Sequence, residues 1–371
     1  MKYLLATGIY PPDIGGPASF TYDFAKELVK LGHKVTVVCY GNSEDRKEEG
    51  WDVEYITKKT PVLFRYWKYF LKIFFLAPGF EIVFFQGPVS EGFPGSVACV
   101  LRKKKYALKI VGDVAWEQYS QDSTQSPELL DEFVKHRHFG KYQIMELMER
   151  WTAKRAAHVF VPSQYLKKIV IQWGIDASRI KVILNTITPF ELDKTREQIR
   201  KKFNLTEKIV LFSPGRMVPW KNFDFIFRLL PKLPDMYVYV LGGEGTCLEK
   251  WKNTVKDIGI ADRVSFVGRL KRQEIGEWML AADVHLLPSS YEGFPHVVAE
   301  AASLGLPSIV SDRGGNPETR EIFPGLVQVA PFLDEHFWIS ALQSIPERKS
   351  SLQPRKFTEL VHEYITNINS V

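Results

Sequence analysis

Along the whole chain, short apolar runs alternate with longer amphipathic segments. In the first half the apolar runs predict strands over 2–8, 34–40, 81–86, 106–111, 158–161 and 181–184, with helices over 18–31, 127–156 and 164–173. The second half repeats the pattern, with strands over 208–213, 237–241, 264–267, 283–287, 308–310 and 326–329. Strands separated by helix-length segments predict parallel sheets with right-handed crossovers, because a parallel strand needs a long return connection. Two doubly wound α/β domains follow, meeting near 186–194. Toward the end, 331–346 reads as a helix, 348–354 as a polar loop and 356–368 as a further amphipathic segment.

One stretch breaks the ordinary amphipathic pattern. In Leu63-Phe-Arg-Tyr-Trp-Lys-Tyr-Phe-Leu-Lys-Ile-Phe-Phe-Leu76, Arg65, Lys68 and Lys72 share one narrow stripe, and almost everything else is aromatic or aliphatic. Such a helix suits an anionic bilayer surface with its basic residues toward headgroups, and the run Arg102-Lys-Lys-Lys105 adds attraction. A core helix whose three cations snorkel to solvent fits the same letters.

Composition narrows the class. A chain of 371 residues with 45% hydrophobic and 25% charged residues has room for two globular domains, each with its own core. Cys39, Cys99 and Cys247 form no CxxC pair, and no His cluster has metal-ligand spacing, which argues against a disulfide framework or structural zinc and for a reducing cytoplasm. The first apolar run is too short for a signal peptide, and no stretch of about 18 uncharged apolar residues spans a membrane. The expected location is therefore the cytoplasm, with 63–76 at the inner face of the cell membrane if that helix meets lipid. Through Asn185 the chain carries 26 Lys+Arg against 20 Asp+Glu, and beyond it 23 of each. The surplus suits an anionic surface or ligand in the first half, and plain solubility equally. It is too small, and without a recognised motif, for nucleic-acid binding.

The candidate chemistry sits at strand ends. Glu292-Gly-Phe-Pro-His-Val-Val-Ala-Glu300 follows the strand over 283–287, with Glu292 before a helix predicted over 295–304 and Glu300 inside it. At such a junction in a parallel sheet, free backbone N–H groups favour an anion, and phosphate is the expected guest. The alternative is a helix-start carboxylate at Glu292 and a solvated one at Glu300. After the strand over 208–213 comes Pro214-Gly-Arg-Met-Val-Pro-Trp-Lys-Asn222, which puts Arg216 and Lys221 at a helix entrance. A guanidinium grips phosphate oxygens bidentately and an ammonium adds a point charge, so the two suit a diphosphate. Leu241-Gly-Gly-Glu-Gly245 is a weaker signal, since tight turns use the same residues. In Thr7-Gly-Ile-Tyr-Pro-Pro-Asp-Ile-Gly-Gly-Pro-Ala18, Gly15 and Gly16 let backbone N–H groups approach a phosphate or acceptor oxygen at a helix start. Asp113, in Gly112-Asp-Val-Ala-Trp-Glu117 after the strand over 106–111, stands at a strand's C-terminal edge, where a carboxylate can meet a ligand, with a helix-cap role open and Glu117 a weaker candidate.

The segment Ser289-Ser-Tyr-Glu-Gly-Phe-Pro-His-Val-Val-Ala-Glu-Ala, the Gly215-Arg216 and Lys221-Asn222 pairs, and the Tyr-Pro-Pro-x-x-Gly-Gly opening together resemble the family 4 type of retaining glycosyltransferases (glycosyl transferases group 1). The resemblance spans nearly the whole chain and is strongest from Ser213 to Glu300. It implies the GT-B fold, two Rossmann-like domains facing a central cleft: an acceptor-side domain over 1–188, with a helix over 355–371 packing back on it, and a donor domain over 189–354. By the same resemblance Glu292 contacts hydroxyls of the donor sugar and Glu300 the ribose, with Gly293, Phe294, His296, Val297 and Val298 among the donor-binding positions. Arg216 and Lys221 offset charge on the departing nucleotide, Gly15, Gly16 and Gly243 border the donor, and Arg269 and Leu270 lie beside the base. The resemblance also implies contact of Asp113 with a sugar hydroxyl or the acceptor, and Asp113 joins Glu292, Arg216 and Lys221 in the catalytic set; many relatives carry His there, so its role stays open. The implied activity is hexosyl transfer with retention from a UDP- or GDP-type sugar to a glycan or lipid-linked acceptor of the kind used in cell-envelope polysaccharides. Neither a cofactor nor a metal is expected, because no DxD-type cluster occupies a suitable loop. A nucleotide-sugar epimerase of the same fold and a sugar-nucleotide-binding protein without turnover are the rival readings.

Overall fold

Every strand but one falls on a predicted apolar run, and all pair in parallel. The structure is a computed structural model and describes residues 1–13, 15–41, 50–349, 352 and 354–369. Ile14 of the opening turn, 350, 351 and 353 of the tail loop, and the last two positions of the helix expected over 355–371 lie outside the described residues.

The chain divides into two units, one of Met1–Tyr119, Leu130–Leu184 and Lys356–Val371, the other of Ser120–Leu129 and Asn185–Arg355. In the first unit β1 (Lys2–Thr7), β2 (Lys34–Tyr40), β3 (Asp52–Ile56), β4 (Ile82–Phe85), β5 (Ala107–Lys109), β6 (His158–Val161) and β7 (Ile180–Val182) form one sheet in the order β3-β2-β1-β4-β5-β6-β7. Tyr3 stands opposite both Val35 and Ile82, so β1 is central and is buried after its first residue. In the second unit β8 (Ile209–Pro214), β9 (Tyr237–Gly242), β10 (Val264–Phe266), β11 (Val284–Leu287), β12 (Ser308–Ser311) and β13 (Val327–Ala330) form a sheet in the order β10-β9-β8-β11-β12-β13. Both orders reverse direction after the third strand, between β1 and β4 and between β8 and β11. Loops diverge at such a point and leave a crevice at the strands' C-terminal edge.

Helices on both faces complete each unit. The terminal helix Phe357–Asn369 buries Leu360, Val361 and Tyr364 in the first unit's core. The Tyr364 ring packs edge-on to Phe24, Phe84 and Phe160 at centroid distances of 5.6, 5.6 and 4.9 Å, and Thr358 donates to Glu27 Oε1 of the helix Gly16–Lys30 at 2.6 Å. In the second unit Leu211, Phe223, Ile226, Trp251 and Trp338 gather on one face of the sheet, while Phe203 stacks on Trp278 at 4.0 Å in a separate cluster.

Three elements differ from expectation. The strand β3 was not foreseen: Asp-Val-Glu-Tyr-Ile is a half-buried edge strand in which only Ile56 is fully buried, and its alternation is too short to stand out. The single helix expected over 127–156 is two, Leu130–Phe133 and Lys141–Arg155, the second starting after Gly140. The helix read over 331–346 is Glu335–Gln343, started by Asp334, whose side chain accepts from Phe337 N at 3.0 Å. The helix Val62–Leu76 is formed as expected, but it is no core helix: it buries Tyr69 and Ile73 and leaves Leu63, Phe64, Trp67 and Phe75 between 58% and 82% exposed.

Candidate active site

The crevice between β8 and β11 collects the second unit's candidate residues. After β8 the chain turns through Gly215 and exposed Arg216 into a short 3-10 helix, Pro219–Lys221. After β11 it runs through Pro288 and Ser289 to Glu292 and enters the helix His296–Ser303. Ser290 N donates to Trp220 O at 2.8 Å, tying the two loops, and Gly315 N donates to Glu292 O at 2.7 Å from the loop after β12. These bonds hold Lys221 Nζ 2.6 Å from Glu292 Oε1, with the two side chains 11% and 13% exposed. A partly buried pair at this distance fixes both groups, since separating them leaves either charge poorly solvated. The Arg216 guanidinium lies 5.6 Å from the Trp220 ring centroid, close enough for a cation–π contact.

Behind this pair β11 places His285, fully buried, its Nδ1 3.1 Å from Ser308 Oγ. Burial, helped by the charge of Lys221, pushes its pKa down to about 3, so the ring stays neutral beneath the cation.

Glu300 lies about one turn into the helix His296–Ser303 and pairs with Arg272 at 3.0 Å. Burial raises its pKa and Arg272 pulls it back. Arg272 is a site residue that sequence reasoning missed. It opens the helix Arg272–Ala281, where a cation opposes the helix dipole. That mismatch was the available signal, and the Glu300 carboxylate together with Thr188 O, which accepts from the same guanidinium, accounts for it.

The glycine-rich loop after β9 packs backbone to backbone on the loop after β8. Gly215 N donates to Gly242 O and Met217 N to Glu244 O, each at 2.8 Å, and Gly243 N donates to Gly268 O at 2.7 Å. Gly243 has φ +135°, and a Cβ there would stand 2.0 Å from Gly215 O. The glycine is thus required by close approach of two loops, and the loop in turn holds Arg216 in place. Arg269 is exposed, and Leu270 packs where a Cβ on Gly242 would stand, at 2.5 Å from its Cδ1. Gly293 and Phe294 are buried; Val298 is buried in a small cluster with Leu287, Val310 and Val327, so its side chain faces the core; Val297 is half-buried beside it. His296 Nε2 lies 3.1 Å from Asn185 Nδ2 and its ring meets Phe294 edge-on at 5.5 Å.

In the first unit Gly15 precedes the helix Gly16–Lys30, whose start has no side-chain cap, and a Cβ on Gly16 would meet nothing within 4 Å. Asp113 is turned inward: it is 1% exposed, and its Oδ1 accepts from Trp116 N at 2.8 Å, the N-cap bond of the helix Val114–Ser120. Glu149, also 1% exposed, accepts from Val114 N at 2.7 Å at the same helix start. Burial raises both carboxyls, each reinforced by neighbouring carboxylates, and Asp113 is pushed up to about 7. A third buried carboxyl, Glu91, sits at the β1/β4 crevice, bonded by Ser90 Oγ and raised by burial. Neither glutamate was foreseen, because Glu149 lies mid-helix and Glu91 follows its strand by several residues with no motif around it. Among the described residues no group of three His, Cys, Asp or Glu side chains is placed to hold a metal, and no helix is long and apolar enough to cross a membrane.

The profile described as Glycosyl transferases group 1 matches residues 195–322, and that described as Glycosyltransferase Family 4 matches 14–189. A GDP-mannose-dependent alpha-(1-6)-phosphatidylinositol monomannoside mannosyltransferase of Mycolicibacterium smegmatis is 26% identical over 340 residues, covering 85% of this chain and 82% of its own. Among solved structures, Anabaena HepE in complex with UDP and glucose superposes with a TM-score of 0.78 at 19% identity over the full length of both chains. WaaG, a glycosyltransferase involved in lipopolysaccharide biosynthesis, does so with a TM-score of 0.68 at 17% identity, over 98% of this chain and 95% of its own. The two parallel sheets are thus those of the GT-B glycosyltransferase fold. The chain belongs to the group 1, family 4 glycosyltransferases and is a transferase enzyme.

Proposed function

We propose that this enzyme moves a hexosyl group from a UDP- or GDP-type sugar to a glycan or lipid-linked acceptor, with retention at the anomeric carbon and without a metal. The reading is carried by the Lys221–Glu292 pair at the β8/β11 crevice, with Arg216 on the same loop. Two cations beside a loop-to-helix junction suit a diphosphate, and positive charge held in place before reaction stabilises the leaving nucleotide without reorganisation. That supply of charge is the reason no metal is invoked. Glu292 is assigned to the sugar hydroxyls, Glu300 to the ribose, and Gly243, Arg269, Leu270, Gly293, Phe294, His296, Val297 and Val298 to the rest of the donor; Val298 serves only through its backbone, given its buried side chain. Gly15 and Gly16 are assigned to a phosphate or acceptor oxygen at their helix start. Asp113 is assigned to positioning, because its carboxyl already caps a helix. The mannosyltransferase relative uses GDP-mannose and HepE was crystallised with UDP, which supports a nucleotide-sugar donor and leaves both bases in play. That relative's lipid acceptor supports a lipid-linked acceptor here, with peripheral contact through the helix Val62–Leu76 at the inner face of a membrane.

The test is a melting-temperature panel with UDP, GDP, ADP and their sugars, since a ligand bound only by the folded state raises the transition. One nucleotide family is expected to shift the protein, and Arg216→Ala to lose the shift. Glu292→Gln and Lys221→Ala are expected to lower transfer by roughly 10²–10³-fold, and EDTA to leave the parent rate unchanged. Parent-like turnover by both variants would refute the site assignment. Release of an altered free sugar without acceptor would replace transfer by epimerisation.

A further inference from the structure

Arg272 holds two partners at once, Glu300 and the stretch of chain around Thr188. We propose that it is a positioning residue for the donor: by fixing the Glu300 carboxylate in one orientation, it lets the site tell a ribonucleotide from its 2′-deoxy counterpart. The inference rests on the assignment of Glu300 to the ribose and names the group that makes that contact selective.

The guanidinium is fixed before any ligand arrives. Arg272 Nη1 donates to Glu300 Oε1 at 3.0 Å, and Nη2 of the same fork donates to Thr188 O. The group also lies 4.5 Å from the centre of the Phe190 ring, within cation–π distance. That ring is itself seated: a Cβ on Gly276 would stand 2.7 Å from Phe190 Cδ1, so the helix Arg272–Ala281 carries a glycine where the ring rests. About one turn earlier on that helix, Gln273 Nε2 donates to Glu191 O at 2.8 Å. Residues 188–191 are thus laid along the helix start and grip the guanidinium with a carbonyl and a ring, and the planar fork then presents Nη1 to Glu300 in a set direction.

Stability is a poor reason for this arrangement. The Arg272 side chain is 47% exposed, and a pair open to water on one side contributes little to the fold. The consequence falls on Glu300, whose side chain is only 14% exposed. Burial pushes its carboxyl up, and among the described residues Arg272 is the charged group that pulls it back. An ionised carboxylate accepts from two hydroxyls, whereas a protonated one spends an oxygen as donor. A mostly buried acceptor that loses a donor is left unsatisfied, at a cost larger than the net gain of an ordinary hydrogen bond. A site built this way rejects a ligand that lacks one hydroxyl. Arg216 and Lys221 belong to the loop after β8, so the diphosphate contact assigned to them does not pass through Arg272.

The test is titration calorimetry of the whole protein with UDP, dUDP, GDP and dGDP, beside melting curves of each variant. For the base that the parent binds, the ribonucleotide is expected to bind roughly tenfold or more tighter than the deoxynucleotide. Arg272→Ala is expected to remove that preference by weakening the ribonucleotide while leaving the deoxynucleotide within about threefold of the parent. Arg272→Gln, which keeps a donor for Thr188 O and no charge for Glu300, is expected to do the same. Both variants should melt like the parent, because the lost cation opposed the dipole at its helix start. In a Glu300→Gln background, Arg272→Ala is expected to change nothing further, since the pair it acts through is already gone. Equal weakening of both nucleotides by Arg272→Ala would mean that Arg272 only anchors residues 188–190, and would overturn the inference; so would a parent without ribose preference. If neither base binds the parent, the donor-site reading falls and this inference with it. If binding and its ribose preference survive the loss of Arg272, this inference alone falls.

Discussion

At the residue scale, the informative groups are carboxyls whose partners lie far away in the chain. Lys221 and Glu292 were legible because each sits in its own motif at a strand end; their 2.6 Å contact was not, since 71 positions separate them. Arg272, Glu91 and Glu149 lack a motif, and only the folded chain shows what they meet. The inward turn of Asp113 has a measurable consequence. Its pKa is raised from 3.8 to about 7, first by burial. A carboxyl raised on folding stabilises the protein most below its unfolded pKa, and that contribution is lost as pH rises through the folded value. Asp113→Asn keeps the cap, since Asn serves there as well as Asp, and removes the titration. The variant should therefore gain stability relative to the parent between about pH 4 and 7, by on the order of a few kcal/mol. Melting curves of both proteins across that range decide it: a constant difference would mean that Asp113 is ionised in the fold.

At the element scale, strands are more legible in the sequence than helices because a buried parallel strand is a continuous apolar run. The edge strand β3 escaped for the converse reason, being only half-buried. The residues over 127–156 read as one helix because amphipathic letters on both sides of Gly140 hide the break between Leu130–Phe133 and Lys141–Arg155. The glycine loops separate two roles that sequence could not. At Gly243 a Cβ would stand 2.0 Å from Gly215 O, so Gly243→Ala must push the loops after β8 and β9 apart. At Gly16 a Cβ meets nothing, and alanine suits a helix start. Gly243→Ala is expected to lower the melting temperature and the nucleotide-induced shift together. Gly16→Ala is expected to melt like the parent and lose transfer, because only a ligand contests that space. Unimpaired transfer by Gly16→Ala would remove Gly16 from the site, and parent-like melting of Gly243→Ala would mean that the loop contact gives way easily.

At the scale of the whole molecule, the chain leaves the first unit after Leu184 and returns to it with Lys356. The final helix is therefore part of the core that the first strand began. Leu360, Val361 and Tyr364 are fully buried there, against Phe24, Phe84 and Phe160 among others. Burying a large apolar side chain contributes about 1.5–3 kcal/mol, so three such losses approach the 5–15 kcal/mol that holds a typical domain together. The second unit's clusters contain none of these residues. A chain ending at Arg355 should consequently lose amide protection in β1 and β4 while keeping it in β8 and β11. With two units a single melting temperature is ambiguous, so hydrogen exchange resolved by peptide is the suitable measurement, with and without the nucleotide that shifts the parent. Protection of β8 and β11 should still rise with nucleotide in the shortened chain if donor binding belongs to the second unit. Loss of protection in both sheets together would show one cooperative body, and unchanged protection of β1 would mean that the terminal helix only covers a core already complete.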